Sequence, residues 1–269
     1  MEEKKVRHVL GISGGKDSTA LAVYMRDRIK DVEYFFCDTG KELPETYEYL
    51  DQLEKYLGRP IARLNPDRTF DFWLDMNNNY LPSSQMRWCT VNLKLKPLEA
   101  FIGTDPAVNY VAIRADEADR KGLDQKANIK TVFPFIEAGI DKAKVFKILE
   151  EAGLGMPKYY EWRTRSGCYF CFFQRKIEWV GLLERHPELF EKAKAYEKFD
   201  PSTGRRFTWN QKESLEELSR PERVAEIKAM HAKKMEKESG QGPNRTLREV
   251  LENVLDGQDR ELPCTICHL

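Results

Sequence analysis

Short apolar runs alternate with amphipathic stretches through the first half of the chain. Val6–Ile12 reads as a buried strand, and Thr19–Ile29 as a helix that turns Ala20, Leu21, Val23, Tyr24 and Met25 inward. Val32–Cys37 is a second strand, and a charged helix follows over Glu45–Leu57. Ile61–Leu64 and Asn109–Ile113 are further strands, and Val132–Pro134 is an edge segment. Strands alternating with helices predict parallel β-α-β units that hold ligands at the carboxyl ends of the strands. From about Asp141 the pattern becomes helices and loops: Ala143–Ala152, Ile177–His186, Pro187–Lys198, Gln211–Ser219 and Pro221–Lys237. Glu238–Asn244, ESGQGPN, reads as a joint. Beyond it, Leu247, Val250, Leu251, Val254 and Leu255 share one helical stripe, a surface for a homodimer or a clasp for the tail. The expected division is an α/β domain over residues 1–140 and a helical, cysteine-containing C-terminal region over 141–269.

Composition narrows the class. Among 269 residues, Lys plus Arg and Asp plus Glu both number 44, so there is no global polycation for nucleic acid. Hydrophobic residues at 41% supply a core. No apolar run approaches the roughly 18–20 residues of a membrane span. The opening MEEKKVRHVL lacks the apolar stretch and cleavage site of a secretory signal, so the expected location is the cytoplasm. Six cysteines are too few for a disulfide scaffold, but four form two C-x-x-C pairs, which points to metal or redox chemistry.

The most informative segment is Gly11-Ile12-Ser13-Gly14-Gly15-Lys16-Asp17-Ser18-Thr19, where a strand runs through paired glycines into a helix. Glycines let backbone approach a phosphate, and the N–H groups of a helix start attract its oxygens. Ser13 and Ser18 add hydroxyls, and Lys16 adds a compact positive charge. The Walker spacing fails twice, because Leu10 stands at the first glycine position and Asp17 follows the lysine. Read blandly, the segment is a Gly-Gly turn between strand and helix.

Ser-Gly-Gly-Lys-Asp-Ser in this setting resembles the PP-loop of ATP pyrophosphatases. Three further segments are similar to the phosphoadenosine phosphosulfate (PAPS) reductase-like branch of that family. Asp38-Thr39-Gly40-Lys41-Glu42-Leu43-Pro44-Glu45-Thr46 resembles its D-T-G-x-x-x-P-E-T stretch. Val111 through Arg120 resembles G-x-R-x-x-E-S-x-R, with Ala112 in place of the glycine and Ala118 in place of the serine. Cys89-Thr90-x4-Leu95-Lys96-Pro97-Leu98 resembles the Cys-Cys segment of iron–sulfur members, with Thr90 replacing the second cysteine. The resemblance implies a doubly wound, mostly parallel sheet of the adenine nucleotide alpha-hydrolase-like kind. It implies ATP on Ser13, Gly14, Gly15, Lys16, Asp17, Ser18, Asp38, Thr39 and Arg114. Lys16, Asp17 and Arg114 would carry catalysis, and Asp17 or Asp38 would position Mg²⁺. The Pro157–Arg165 segment matches one that borders the cleft in that family.

Four thiolates satisfy tetrahedral zinc or a cubane, and Cys168, Cys171, Cys264 and Cys267 supply four by themselves. The family pattern of a Cys-Cys pair, a long gap and then C-x-x-C favours a [4Fe–4S] cluster on four of Cys89, Cys168, Cys171, Cys264 and Cys267; zinc is the alternative. The resemblance further implies an ATP pyrophosphatase that activates a substrate for sulfur transfer to a nucleic acid, as in DNA phosphorothioation, with a sulfur-donor protein such as a cysteine desulfurase. Two other classes stay open: a PAPS or adenylyl sulfate reductase, and a non-catalytic nucleotide- or zinc-binding module. The tail Cys264-Thr265-Ile266-Cys267-His268 departs from the reductases' E-C-G-[LI]-H, which weakens the first. Cys37, at a strand end, is a second candidate thiol.

Overall fold

The computed structural model describes residues 5–64, 68–119, 126–210 and 213–240. These form two compact units, the first from residues within 5–79 and 86–168, the second from 80–85 and 169–240.

The first unit is built on five parallel strands: β1 (Arg7–Gly11), β2 (Val32–Cys37), β3 (Ile61–Leu64), β4 (Ala107–Tyr110) and β5 (Ile129–Val132), in the order β3-β2-β1-β4-β5. Pairing runs Leu10 with Tyr34 and with Tyr110, so β1 is central. Its helices are α1 (Lys16–Met25), α2 (Pro44–Leu57), α3 (Phe70–Met76), α4 (Trp88–Thr90), α5 (Lys96–Ile102), α6 (Pro134–Glu137) and α7 (Lys142–Glu151). Leu10, Ile12, Tyr34, Phe36, Tyr110 and Ala112 meet α1, α2 and α7 through Ala20, Leu21, Leu50, Leu53, Val145 and Leu149. Each such large aliphatic burial is worth about 1.5–3 kcal/mol. The opposite face is covered from α5, whose Phe101 ring lies 5.8 Å from Phe35. The chain passes from edge strand β3 through α3–α5 to β4 on the far side of β1. This reversal makes β1/β4 the topological switch point, where doubly wound sheets open a crevice.

The doubly wound α/β expectation holds, with shifted boundaries. α1 begins at Lys16 rather than Thr19, because its first turn is polar and invisible to apolar periodicity. The strand expected over Asn109–Ile113 is Ala107–Tyr110; Val111, Ala112 and Ile113 are buried just past its end. The edge segment lies at Ile129–Val132, paired parallel to β4. α7 packs on α1, so the change of pattern near residue 140 falls inside this unit. Between α4 and α5, Val91–Leu95 is a π-helical turn that periodicity did not disclose.

The second unit contains α8 (Lys176–Arg185), α9 (Pro187–Ala195), the antiparallel hairpin β6 (Lys198–Asp200) and β7 (Arg205–Phe207), α10 (Leu215–Leu218) and α11 (Pro221–Gly240). The helix expected over Gln211–Ser219 is thus shorter. An aromatic core joins it: Trp209 stacks on Phe170 at 4.8 Å, and its indole N–H donates to the Ala193 carbonyl at 2.8 Å. Trp179 and Phe190 complete the cluster. The joint at Glu238–Asn244 falls partly in α11, and its remainder, the stripe at 247–255 and the tail cysteines lie outside the described residues. Among the described residues no helix is long and apolar enough to cross a membrane.

Candidate nucleotide site

The Ser-Gly-Gly loop leaves β1 at the carboxyl edge of the sheet and turns directly into α1. Gly14 has a φ of 71°, and a Cβ there would lie 2.5 Å from the Thr46 methyl of α2. The left-handed backbone and the close approach both require glycine. Gly15 is the N-cap of α1 and supplies no side-chain cap, so the helix start retains the polarity that attracts anions. Hydroxyls brace the turn. The Ser13 amide donates to Ser18 Oγ at 3.1 Å, and Ser18 Oγ donates to the Gly15 carbonyl at 3.2 Å.

Charge is organised across the switch point. Lys16 Nζ pairs with Asp17 Oδ2 at 2.7 Å, while Arg114, just beyond β4, donates to Asp17 Oδ1 at 3.1 Å. Asp17 therefore uses both oxygens to hold one cation from each wall of the crevice. Arg114 also grips Asp116 at 3.0 Å and Glu117 at 2.9 Å. Burial opposes the Arg114 charge, but hydrogen bonding to Asp116 and the charges of Asp17 and Glu117 outweigh it, so its pKa rises and the guanidinium is permanent. Two cations beside a helix start whose N-cap is a glycine suit phosphate oxygens.

A small cleft on the other side of β1 is lined by Ser13, Phe36, Cys37, Glu42, Lys94, Ser166 and Gly167. Asp38 and Thr39 follow directly on β2. Asp38 accepts from the Gly40 amide at 2.9 Å and the Tyr47 hydroxyl at 2.8 Å. Buried Glu42 accepts from Thr39 Oγ1 at 2.7 Å, the Lys41 amide at 3.1 Å and Tyr47 at 3.2 Å. Burial raises its pKa, and the Thr39 hydrogen bond acts the other way. The motif D-T-G…P-E-T thus has a structural basis: its Thr46 methyl fits Gly14, and its Asp38–Leu43 turn is closed by a carboxylate. Glu42, Lys94 and Ser166 carried no motif signal for their place on the cleft wall; Glu42 and Lys94 stand at unspecified positions of their motifs. Among the aromatics before Cys89, Phe70 and Trp88 are core, their rings 5.1 Å apart.

The thiols fall into different settings. Cys37 is buried, donates to the Lys94 carbonyl at 3.6 Å, and is pushed up to about 12 by burial, which removes it as a nucleophile at neutral pH. Cys168 lies 3.3 Å from Thr39 Oγ1 and 3.9 Å from Glu42. Cys89 is on α4, and Cys171 belongs to the second unit. Among the described residues no three His, Cys, Asp or Glu side chains are grouped to hold a metal ion. Cys89, Cys168 and Cys171 therefore do not make up a cluster's ligand set by themselves, and Cys264 and Cys267 lie outside the described residues.

A doubly wound parallel α/β fold with this loop defines a class, and comparison with known sequences gives the family. The phosphoadenosine phosphosulfate reductase domain profile matches residues 7–152, and the chain belongs to that family. An uncharacterized protein of Methanocaldococcus jannaschii is 28% identical over 204 residues, covering 71% of this chain and 41% of its own length. A second from that organism is 26% identical over 195 residues, covering 67% and 45%, so the chain spans less than half the length of these two relatives. The nin region protein ORF290 of Escherichia phage lambda is 29% identical over 206 residues, with 65% and 68% covered. Among solved structures, PAPS reductase from Candida auris in a phosphate complex aligns over 61% of this chain and 82% of its own, at 14% identity and a TM-score of 0.47. The U34-tRNA thiolase NcsA from Methanococcus maripaludis, with its [4Fe–4S] cluster, aligns over 72% and 71%, at 14% identity and a TM-score of 0.41.

Proposed function

We propose that the chain is an ATP pyrophosphatase that activates an acceptor for sulfur transfer, with a nucleic acid as acceptor and DNA phosphorothioation as the model reaction. The observation that carries this reading is the placement of Lys16 and Arg114 on opposite walls of the switch crevice, tied by Asp17, beside a helix start whose N-cap is a glycine. The loop amides and Lys16 would hold the β- and γ-phosphates, and Arg114 would face the α-phosphate from β4. Mg²⁺ enters as part of the nucleotide complex. An acceptor oxygen attacks the α-phosphorus, the bond to the bridging oxygen breaks, and pyrophosphate leaves with its charge met by the two cations. A hydrosulfide-level sulfur, released by a thiol reductant from the persulfide of a donor protein such as a cysteine desulfurase, then displaces AMP, which leaves with the acceptor's former oxygen. No step is routed through a [4Fe–4S] cluster. Such a cluster, or zinc in its place, requires thiols beyond the described residues, so Cys264 and Cys267 join Cys89, Cys168 and Cys171 in the proposed ligand pool.

The test is product analysis with Mg²⁺-ATP. AMP and pyrophosphate are expected, and Lys16→Ala should lower their formation tenfold to a hundredfold, since a hydrogen bond to a charged group is worth about 1.5–3 kcal/mol. ADP and phosphate formed equally well by Lys16→Ala would refute the reading. The family itself favours one rival, a sulfonucleotide reductase. Thioredoxin-dependent release of sulfite from PAPS, with PAPS bound more tightly than ATP, would select it.

A further inference from the structure

The segment after α7 folds back on the phosphate loop, although it lies beyond the family match, which ends at residue 152. Tyr159 donates its hydroxyl to the Gly14 carbonyl at 2.7 Å. Ser166 Oγ donates to Ser13 Oγ at 3.1 Å, and a Cβ on Gly15 would lie 2.8 Å from that same Ser166 oxygen. The Lys16 amide, first of α1, donates to the Tyr160 hydroxyl at 3.3 Å, and Lys16 Nζ lies 5.5 Å from the centre of the Tyr160 ring. Arg163, fully buried, donates to the Gly167 carbonyl at 3.1 Å and the Cys168 carbonyl at 2.8 Å, which fixes the loop that carries Ser166.

We infer that Tyr160 and Ser166 are ligand-binding residues that complete the site for a nucleoside polyphosphate. This rests on the proposed ATP chemistry. A phosphate oxygen bound by the first amide of α1 arrives where the Tyr160 hydroxyl already reaches, and the phenol can turn from accepting that amide to donating to the phosphate. Burial and the neighbouring Asp17 charge raise the Tyr160 pKa, so it remains a neutral donor at physiological pH. Ser166, which lines the cleft beside Ser13, offers a second donor to the same ligand. Tyr160 is stacked on Tyr159 with ring centres 4.9 Å apart, so a phenylalanine would keep the packing and the face presented to Lys16 while losing only the hydroxyl.

The experiment is calorimetric titration of ATP and of AMP into the full chain, Tyr160→Phe, Ser166→Ala and Lys16→Ala. Tyr160→Phe should bind ATP about tenfold more weakly, as expected for one hydrogen bond to a charged oxygen, with AMP affinity changed less than twofold. Ser166→Ala should weaken ATP several-fold. Weakened ATP binding by Lys16→Ala with Tyr160→Phe and Ser166→Ala unaffected overturns this inference and leaves the ATP reading standing. Equal weakening of ATP and AMP by Tyr160→Phe also overturns it, because AMP lacks the β- and γ-phosphates that the loop amides would hold. No ATP binding by the unaltered chain refutes the ATP reading and this inference with it.

Discussion

Replacing Gly14 by alanine tests how the phosphate loop is held, and its cost has two separable parts. The backbone there sits at φ 71°, where a Cβ costs about 1–2 kcal/mol. The new methyl would also stand 2.5 Å from Thr46 Cγ2, an overlap against a buried side chain that costs roughly 1–3 kcal/mol to relieve. Together about 2–5 kcal/mol should be lost, a drop of about 4–20 °C in the melting temperature at roughly 2–4 °C per kcal/mol. The two parts come apart in a double-mutant cycle. Thr46→Ser deletes the offending methyl and costs about 0.5–1.5 kcal/mol alone, as a buried methyl deletion does. In the Gly14→Ala background it should instead recover stability, with a coupling energy of about 1–3 kcal/mol. Scanning calorimetry of the four proteins gives the answer. A Gly14→Ala melting temperature within a degree of the parent, or strictly additive effects, would show that α2 does not brace the loop.

In the second unit, Lys176 and Arg223 both pair with Glu213, whose carboxyl is held below its ordinary 4.5 by these cations despite the opposing effect of burial. The stabilisation is present above the unfolded pKa and disappears as pH falls through the lower folded value. Glu213→Gln should therefore melt lower than the parent at pH 7, with the gap closing below about pH 4; a pH-independent gap would contradict the ion-pair account. Trp209→Ala should cost about 3–5 kcal/mol by emptying the aromatic cluster and removing the indole hydrogen bond to the Ala193 carbonyl, measured by urea unfolding; a loss below 1 kcal/mol would contradict it. Cys37 should be the slowest described thiol to alkylate at pH 8 and should react only after unfolding, as peptide mass spectrometry can follow; fast reaction in the native protein would remove the burial argument. Protein prepared without oxygen should carry about four irons and four sulfides per chain if the tail thiols complete a cubane. Stoichiometric zinc without iron would replace that cluster by a structural metal.

The parallel α/β architecture was legible because each strand is a short apolar run and each early helix an amphipathic stretch, and those periods survive without tertiary information. The phosphate loop was legible for a different reason: glycine pairs, a lysine and hydroxyls at a strand–helix junction are residue types whose local chemistry points one way. Thr46 was legible only as part of a motif, and its methyl acquires a role through the approach of Gly14 from another element. Glu42, Lys94 and Ser166 carried no local signal that assigned them to the site, and Tyr160 only the resemblance of its whole segment to one that borders a cleft, because a polar residue's role depends on what faces it. Asp17 likewise read as a Mg²⁺ or catalytic residue; folding places it between Lys16 and Arg114, which lie far apart in sequence. The sequence by itself determined the strands, the helices and the loop, since backbone propensity and apolar period act over a few residues. Only the tertiary structure decided which cation met which carboxylate and which hydroxyl reached the helix start, since those pairings depend on the strand order that brings β1 and β4 together.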